Sequence, residues 1–288
     1  MFVVGWVLRL LAGGLDAIGS VFQRLAILLH SLLPALLSPA DLMKLIKDHY
    51  DTSYAHTAPQ FTTDVYEWAL ESWEQEVVQR HSIASGRILV LGAGVGREAI
   101  ALAKRGLSVV GLDVNGVALQ VATKTAQTSG VPAQFVQADF LHLPFTPAHF
   151  RYVIMSGIMY SSIPGRAQRQ AWLANLLRHL APEGLVILNF LIDHPPPSRI
   201  QRIGRAINRV LVALPGANRA YQPGDSCAQG HFLHAFQDES EIREELEEAG
   251  VQTHELNWRR GFAVVSVPRN QSGPTSPFPS LTRKGEQS

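Results

Sequence analysis

Apolar residues dominate the N-terminal segment of the chain, and the few polar residues in it recur at helical spacing. They lie at steps of three, four or seven residues: Arg9, Asp16, Ser20, Gln23, Arg24 and Ser31. At about 100° per residue these positions form one narrow polar stripe, which large aliphatic and aromatic side chains surround. The pattern predicts an amphipathic, membrane-contacting helix over residues 1–37, interrupted at Pro34.

Other placements of this helix remain open. Crossing a bilayer would bring Arg24 near its middle at a cost of roughly 2.5–3.5 kcal/mol, so an interfacial position is favoured. A cleaved leader is disfavoured because the positive charge comes late and no small-residue cleavage site follows it. The helix would also suit packing on the protein's own domain, or the closure of a homodimer.

Residues 38–85 are predicted to be a helical cap. Ser38 can cap a helix whose first position is Pro39, and Asp41 can return a hydrogen bond. Helices are predicted over Asp41–Tyr54 and Asp64–Arg80.

From Arg87 onward, short apolar runs alternate with helical stretches. The predicted strands are Ile88–Gly92, Val109–Asp113, Ala133–Asp139, Tyr152–Gly157 and Leu185–Phe190. The predicted helices are Glu98–Arg105, Val117–Ser129, Arg166–Leu180 and Glu239–Ala249. Apolar runs this short are typical of strands buried on both faces, so the alternation predicts a doubly wound α/β sheet.

The C-terminal part has three predicted components. Residues 193–231 form an irregular insertion rich in Pro, Arg and Gly, which we interpret as a lid. His254–Trp258 and Phe262–Val267 form an antiparallel strand pair, and the tail 270–288 is disordered. Within the insertion, four arginines recur at helical spacing: Arg199, Arg202, Arg205 and Arg209. They indicate either a solvated helix face or a site for phosphate headgroups.

Composition excludes several classes of protein. A formal net charge of +1 gives no basic stripe for nucleic acid, so no nucleic-acid partner is expected. The single cysteine, Cys227, excludes an internal disulfide and fits a reducing compartment. No histidine or carboxylate cluster has ligand spacing, so no metal is expected.

A glycine-rich segment, Gly92-Ala93-Gly94-Val95-Gly96, lies between a predicted buried strand and a helix start. Glycines at such a turn let a ligand approach the backbone, and helix amides there face an anionic group. Asp113 ends the next strand, where a carboxylate can accept hydrogen bonds from ribose hydroxyls.

These features resemble the class I S-adenosylmethionine-dependent methyltransferase family. ILVLGAGVG resembles its first motif, a strand followed by GxGxG and a helix, and Asp113 and Ala138-Asp139-Phe140 resemble the next two motifs. The segment MSGIMY resembles the fourth motif, where the methionine moiety lies. The resemblance implies a Rossmann-like, mostly parallel seven-stranded sheet with an antiparallel C-terminal pair, over residues 86–269.

The resemblance also implies S-adenosylmethionine as the cofactor and a set of residues that bind it. Asp113 would hold the ribose, Asp139 would face the adenine amine, and Phe140 would flank the ring. The full cofactor-binding set is Gly92, Ala93, Gly94, Gly96, Asp113, Val114, Asp139, Phe140 and Ser156.

Two positions depart from the family's pattern. The acidic residue that often precedes the glycine motif is Val90 here, and the one that often opens the fourth strand is Arg151. The first commonly helps to hold the ammonium group of the ligand. The carbonyl oxygens of Gly92 and Ser156 are the expected substitutes.

The acceptor is expected to be a small molecule, lipid-like or resident in a membrane, because the N-terminal helix is so apolar. His231, His234 and Tyr160 are the candidate catalytic residues. A cytoplasmic protein at the inner face of a membrane is expected, with an oligomer possible. A nicotinamide-dependent oxidoreductase and a non-catalytic membrane scaffold are the alternatives; Arg97, in the third glycine position of the dehydrogenase motif, counts against the former.

Overall fold

A computed structural model describes residues 2–57, 69–194, 197–228 and 231–268. The helices are α1 Phe2–Leu36, α2 Pro39–Thr57, α3 Ser72–Arg80, α4 Arg97–Lys104, α5 Gly116–Thr128, α6 Arg166–Leu177, α7 Arg199–Leu211 and α8 Glu239–Glu248. The strands are β1 Arg87–Leu91, β2 Ser108–Asp113, β3 Ala133–Gln137, β4 Phe150–Met155, β5 Leu180–Asn189, β6 Leu191–Ile192, β7 Asp225–Ala228, β8 His231–Phe236, β9 Gln252–Asn257 and β10 Phe262–Ser266.

The main sheet has seven strands in the order β3-β2-β1-β4-β5-β10-β9. The first five strands in this order pair in parallel, and β10 runs antiparallel between β5 and β9. The predicted fold and its antiparallel C-terminal pair are therefore confirmed. The strand order reverses between β1 and β4, and ligands of open α/β sheets bind at such a reversal.

Alternate residues of the central strand β1 enter the cores on the two faces of the sheet. Leu89 and Leu91 pack in a cluster with residues of α6 and α8, while Ile88 and Val90 pack in a cluster with α3 and α4. All four side chains are completely buried. Burial on both faces explains the continuous apolar run of the sequence and fixes the end of β1 firmly in place.

Pro34 lies inside α1 and does not interrupt it, contrary to the prediction. Two bonds from Asn218 hold this part of the helix: its Nδ2 donates to the carbonyl of Pro34 at 2.8 Å, and its backbone N–H donates to Ala35 at 2.9 Å. Tertiary contacts thus offset the local penalty of proline. The helix predicted to begin at Pro39 is present as α2, and the hydroxyl of Ser38 accepts a hydrogen bond from the Asp41 N–H at 3.2 Å.

The insertion over residues 193–231 is ordered where it is described, so its irregular character was predicted wrongly. It contains α7, with Ser198 and Gln201 in a capping box, and β7, which pairs antiparallel with β8. β8 also pairs with β6, which makes a second, three-stranded sheet. This unit packs on the N-terminal helices, with α1 against α7 and β7 and with α2 against β8.

Smaller differences concern element ends. Strand β5 begins at Leu180, so the turn predicted at residues 182–184 is an irregularity within the strand, with Glu183 at φ +59°. In the described residues the helix predicted over Asp64–Arg80 is α3, from Ser72. Positions 58–68 and the tail predicted over 270–288 lie outside the described residues.

Candidate functional site

The glycine loop after β1 has a backbone that favours glycine. Gly92, Gly94 and Gly96 have φ angles of +70°, +50° and +94°, in the left-handed region that L-residues rarely adopt. A Cβ at Gly92 would collide with the sulfur of Met159, and one at Gly96 would lie 2.9 Å from the Cβ of Ala122. The loop therefore brings bare backbone to the edge of the sheet.

Asp113, at the end of β2, is tied to this loop. One carboxylate oxygen accepts from the Gly94 N–H at 2.8 Å, and the other accepts from the Asn115 N–H at 2.8 Å. Asn115 in turn caps α5 through the Ala118 N–H at 2.9 Å. The carboxylate is thus fixed in position and still lines a cavity.

A cavity of about 440 Å³ lies over the carboxyl ends of β1, β2 and β4. The sheet side of its lining is Gly92, Asp113, Val114, Asp139, Phe140, Leu141, Ser156, Gly157, Ile158, Met159 and Ser162. Helix α2 lines the other side with Met43, Lys44, Ile46, Lys47 and Tyr50. Most of this lining is apolar, and two lysines bring positive charge to it.

A second cavity of about 310 Å³ adjoins the first and shares Gly92, Ser156 and Gly157 with it. Its polar side is an ion-pair network in which Arg97 binds both carboxylate oxygens of Glu74, at 2.8 and 2.9 Å. Arg97 also contacts Glu98 at 2.5 Å, and the Ser156 hydroxyl donates to the same Glu98 oxygen at 2.6 Å.

Two pKa shifts describe this site. Burial raises the pKa of the Glu98 carboxyl, and the opposing effects of Arg97 and Ser156 do not cancel it. Burial, followed by the negative charge of Asp113, raises the pKa of the Tyr50 phenol. Tyr50 is therefore a protonated group beside the first cavity, and a donor of hydrogen bonds.

The predicted cofactor-binding residues come together in these two cavities. Six of them line the first cavity: Gly92, Asp113, Val114, Asp139, Phe140 and Ser156. Ala93 and Gly94 line the second, and Gly96 is the N-cap of α4 behind them. Asp139 is exposed and accepts from the Leu141 N–H at 2.9 Å, while Phe140 packs edge-on against Trp172.

Tyr160 and His234 do not lie where a catalytic role requires. Both side chains are fully buried and neither lines a cavity of the site. Tyr160 donates to Glu245 at 2.7 Å, and His234 Nδ1 lies 2.8 Å from Asp225. We correct the sequence interpretation for these two residues, because both side chains are enclosed in the core and away from the cavities.

His231 lies one side chain away from the first cavity. Its ring stacks on His49 of α2 with centroids 4.6 Å apart, and it lies 5.8 Å from the ring of Tyr50. It does not itself line the cavity. Its predicted role in proton transfer remains a prediction.

Sequence reasoning missed the residues of α2 and the Glu98 network. The spacing of Met43, Ile46 and Tyr50 shows one face of α2, but nothing local indicates what that face covers. In the sequence, Arg97 is distinguished only by its position, where the dehydrogenase motif has its third glycine.

Metal ligands and membrane-spanning helices are the two remaining features of the described residues. No group of three or more His, Cys, Asp or Glu side chains there has the arrangement of a metal site. One helical stretch, Gly19–Leu36, is long and apolar enough to cross a membrane, with a mean hydropathy of 1.3 and 17% of its residues buried. Core helices and leader segments also meet that criterion.

Comparison with known sequences gives a family match and several relatives. The family described as a methyltransferase domain matches residues 88–184. Demethylmenaquinone methyltransferase of Thermus thermophilus is 36% identical over 119 residues, covering 40% of this chain and 50% of that protein. Cypemycin N-terminal methyltransferase of a Streptomyces species is 33% identical over 138 residues, covering 48% and 54%. The chain thus spans about half the length of these curated relatives.

Solved structures show a similar fold. Burkholderia thailandensis 1,6-didemethyltoxoflavin-N1-methyltransferase, crystallised with 1,6-didemethyltoxoflavin and S-adenosylhomocysteine, has a TM-score of 0.54 at 17% identity, over 80% of this chain and 89% of that one. An S-adenosylmethionine-dependent methyltransferase of Methanosarcina mazei has a TM-score of 0.51 at 20% identity, over 69% and 99%.

Proposed function

We propose that this protein is a class I S-adenosylmethionine-dependent methyltransferase, which transfers a methyl group from that cofactor to a small, apolar acceptor. The observation that carries this proposal is the coincidence of the glycine loop, the Asp113 carboxylate and the two joined cavities at the strand-order reversal. The cofactor supplies a methyl group that is already activated, so the protein has to bind, orient and exclude water.

The residues of the site fit the cofactor's chemistry. The glycine loop offers backbone to which a ligand can approach closely, and Asp113 offers a fixed acceptor for ribose hydroxyls. Val114, Asp139 and Phe140 line the same cavity and would surround the adenine.

Glu98 supplies the acid that the sequence lacks at Val90. It lines the second cavity as a nearly buried carboxylate, fixed by Ser156 and Arg97. A buried carboxylate beside the glycine loop suits the ammonium group at the methionine end of the cofactor. Arg97 in turn is held by both carboxylate oxygens of Glu74.

The acceptor would lie between α2 and the sheet. Met43, Ile46, Ile158 and Met159 make this part of the cavity apolar. Lipid-like or quinone-like molecules match such a lining, and one relative is by name a demethylmenaquinone methyltransferase.

Among the described residues, no histidine lines the cavity, so none there can accept the acceptor's proton directly. Burial and the charge of Asp113 raise the pKa of the Tyr50 phenol, so Tyr50 stays protonated and does not take up the acceptor's proton. We expect an acceptor acidic enough to ionise when bound near Lys44 and Lys47, with His231 behind Tyr50 as an indirect proton acceptor. Replacing His231 with Ala should then lower turnover more at low pH than at high pH, where the acceptor is already ionised.

Methyl transfer itself tests the proposal. The protein is incubated with S-adenosylmethionine labelled in the methyl group and with a bacterial lipid extract, and label is counted in the organic phase. Wild type should transfer label, whereas Gly94→Val should not, because a branched residue at φ +50° is strained and blocks the ligand. Cofactor binding without transfer to any apolar acceptor would refute the acceptor class, and binding of NADH instead would refute the activity.

A further inference from the structure

The insertion helix α7 presents an apolar stripe to solvent. Three large aliphatic side chains follow one face of the helix and a fourth lies in the turn after it; they are 54%, 36%, 67% and 49% exposed, respectively: Ile203, Ile207, Val210 and Leu214. Another side of α7 is used within the molecule. There Gly204 approaches Ser31 of α1, and Asn208 Nδ2 donates to the Ser31 carbonyl at 2.7 Å.

Helix α1 carries a matching stripe beside this contact. Its exposed members are Phe22, Leu25, Leu29 and Leu36. Gly204 approaches Leu28 and Ser31 of α1, and Asn218, in the loop after α7, binds Pro34 farther along the same helix. The two exposed stripes both lie outside this contact. We call these eight residues the α1–α7 face.

Charge distinguishes what this face would bind. The ionisable side chains of α7 are all arginines. Arg205 is paired with Asp193 at 2.8 Å, whereas Arg199, Arg202 and Arg209 are exposed, and no acidic residue lies on α7. The three exposed arginines border the apolar stripe of α7.

We infer that the α1–α7 face docks on an anionic phospholipid surface. An apolar stripe bordered by arginines matches acyl chains below phosphate headgroups. In a two-fold dimer through the same face, the arginines of one copy would meet those of the other and repel them. This inference rests on the proposed function, because docking would bring the acceptor cavity to the membrane surface. Only Leu37 and Ser38 join α1 to α2, and Met43 of α2 lines that cavity.

Flotation of the full-length protein with vesicles tests this inference. Vesicles of phosphatidylcholine alone are compared with vesicles that also contain phosphatidylglycerol. The variants are Ile203→Ser with Val210→Ser, and Arg202→Gln with Arg209→Gln. The matched control is Lys104→Gln with Arg105→Gln, which removes two exposed charges at the end of α4. Binding of S-adenosylmethionine is measured on every sample by calorimetry.

Wild type and the control should float with the anionic vesicles. The arginine variant should lose about tenfold or more in partitioning to them, since each basic residue near such a surface contributes on the order of 1 kcal/mol. The apolar variant should lose binding to both kinds of vesicle.

Partitioning of both α7 variants equal to that of wild type would overturn the inference. So would a wild-type dimer that ignores vesicles and that the apolar variant dissociates. Calorimetry separates the two proposals. If wild type does not bind the cofactor, the methyltransferase proposal is refuted, and the vesicle result still tests the docking face.

Discussion

At the scale of single residues, Asp113 has two tasks that a substitution can separate. Its carboxylate accepts hydrogen bonds from Gly94 and Asn115, and in the proposed function it also accepts from ribose. An amide at the same position has one acceptor oxygen instead of two, so it can keep only one of these two hydrogen bonds, and it lacks the charge that strengthens that bond.

We predict that Asp113→Ala weakens cofactor binding by about 1.5–3 kcal/mol and also lowers stability, because the loop amides lose their acceptor. Asp113→Asn keeps one of the two hydrogen bonds, so it should weaken cofactor binding and lower the melting temperature less than Asp113→Ala does. Calorimetric titration and thermal unfolding measure the two effects. Unchanged affinity in both folded variants would remove Asp113 from the ribose site.

Glu98 provides the corresponding test at the methionine end of the cofactor. Glu98→Gln keeps the shape of the side chain and removes its charge, so cofactor affinity should fall by about 1.5–3 kcal/mol, as for a lost hydrogen bond to a charged group. Glu76→Gln, an exposed carboxylate on the neighbouring helix α3, is the control and should bind normally. Equal affinity of Glu98→Gln and wild type would contradict the assignment.

The difference between these two acids also shows what sequence can predict. Asp113 was predicted because its partner Gly94 belongs to a local strand-turn motif that recurs in many proteins. Glu98 was not, because its setting depends on Arg97 and on Glu74, which lies on a separate helix. A side chain whose role is defined by distant partners leaves no periodic signal.

At the scale of elements, a buried ionic network joins the insertion to the seven-stranded sheet and the helices that flank it, which we call the sheet domain. Arg169 of α6 donates to both carboxylate oxygens of Glu245 on α8, at 2.8 and 2.7 Å, and to Gln222 of the insertion at 2.7 Å. Arg169 and Glu245 have no exposed surface. Each charge is therefore tolerated only because the other is present.

Removing one charge of the Arg169–Glu245 pair should therefore lower the free energy of unfolding. We predict that Glu245→Gln lowers the free energy of unfolding by about 3–5 kcal/mol, since it leaves Arg169 charged in the core. Arg166→Gln, at the exposed pair with Glu248, should change it by less than about 1 kcal/mol. Denaturant titration measures both; a loss in Glu245→Gln as small as that of the control would contradict the prediction.

His234 makes the attachment of the insertion depend on pH. Burial disfavours its charged form, and Arg169 adds to this, but hydrogen bonds to Asp225 and Glu241 outweigh both and raise the pKa of His234 above its ordinary value of 6.5. A raised folded-state pKa stabilises the protein fully below that ordinary value, and the contribution is lost as pH rises through the folded value.

The stability gap between wild type and His234→Gln should therefore narrow as pH is raised from about 6 to about 9. His142→Gln, at a side chain that is 84% exposed, is the control variant. Denaturation midpoints across this range provide the measurement. A gap that widens with pH would reverse the assigned sign.

The elements that sequence did not predict are those of the insertion. The arginine spacing did indicate a helix over α7, but the short strands β7 and β8 have no long alternating pattern. Their pairing is stabilised by contacts with α1 and α2, which precede them by well over a hundred residues. The core strands, by contrast, were predictable because burial on both faces leaves continuous apolar runs.

At the scale of the whole molecule, the N-terminal helices and the insertion form one unit beside the sheet domain. Residues 19–27 of α1 are almost all exposed, whereas Pro34 and Ala35 are buried against the insertion. The predicted membrane segment 1–37 is thus partly a structural element of the protein. A deletion of all of it would expose the contact with α7, so membrane attachment is better tested by substitution.

We predict that Phe22→Ser with Leu25→Ser weakens vesicle binding without weakening cofactor binding, because both side chains are exposed and far along α1 from the cavity. Vesicle flotation and calorimetry on the same preparation measure the two properties. Parallel loss of both would indicate that these residues support the fold instead.

The proposed function requires the cleft at the end of β1 to bind S-adenosylmethionine. Equilibrium binding of labelled S-adenosylmethionine and of NADH is measured on the wild-type protein and on Gly94→Val. We predict saturable binding of S-adenosylmethionine to wild type, its loss in the variant, and no binding of NADH. Binding of NADH, or S-adenosylmethionine binding that survives Gly94→Val unchanged, would contradict it.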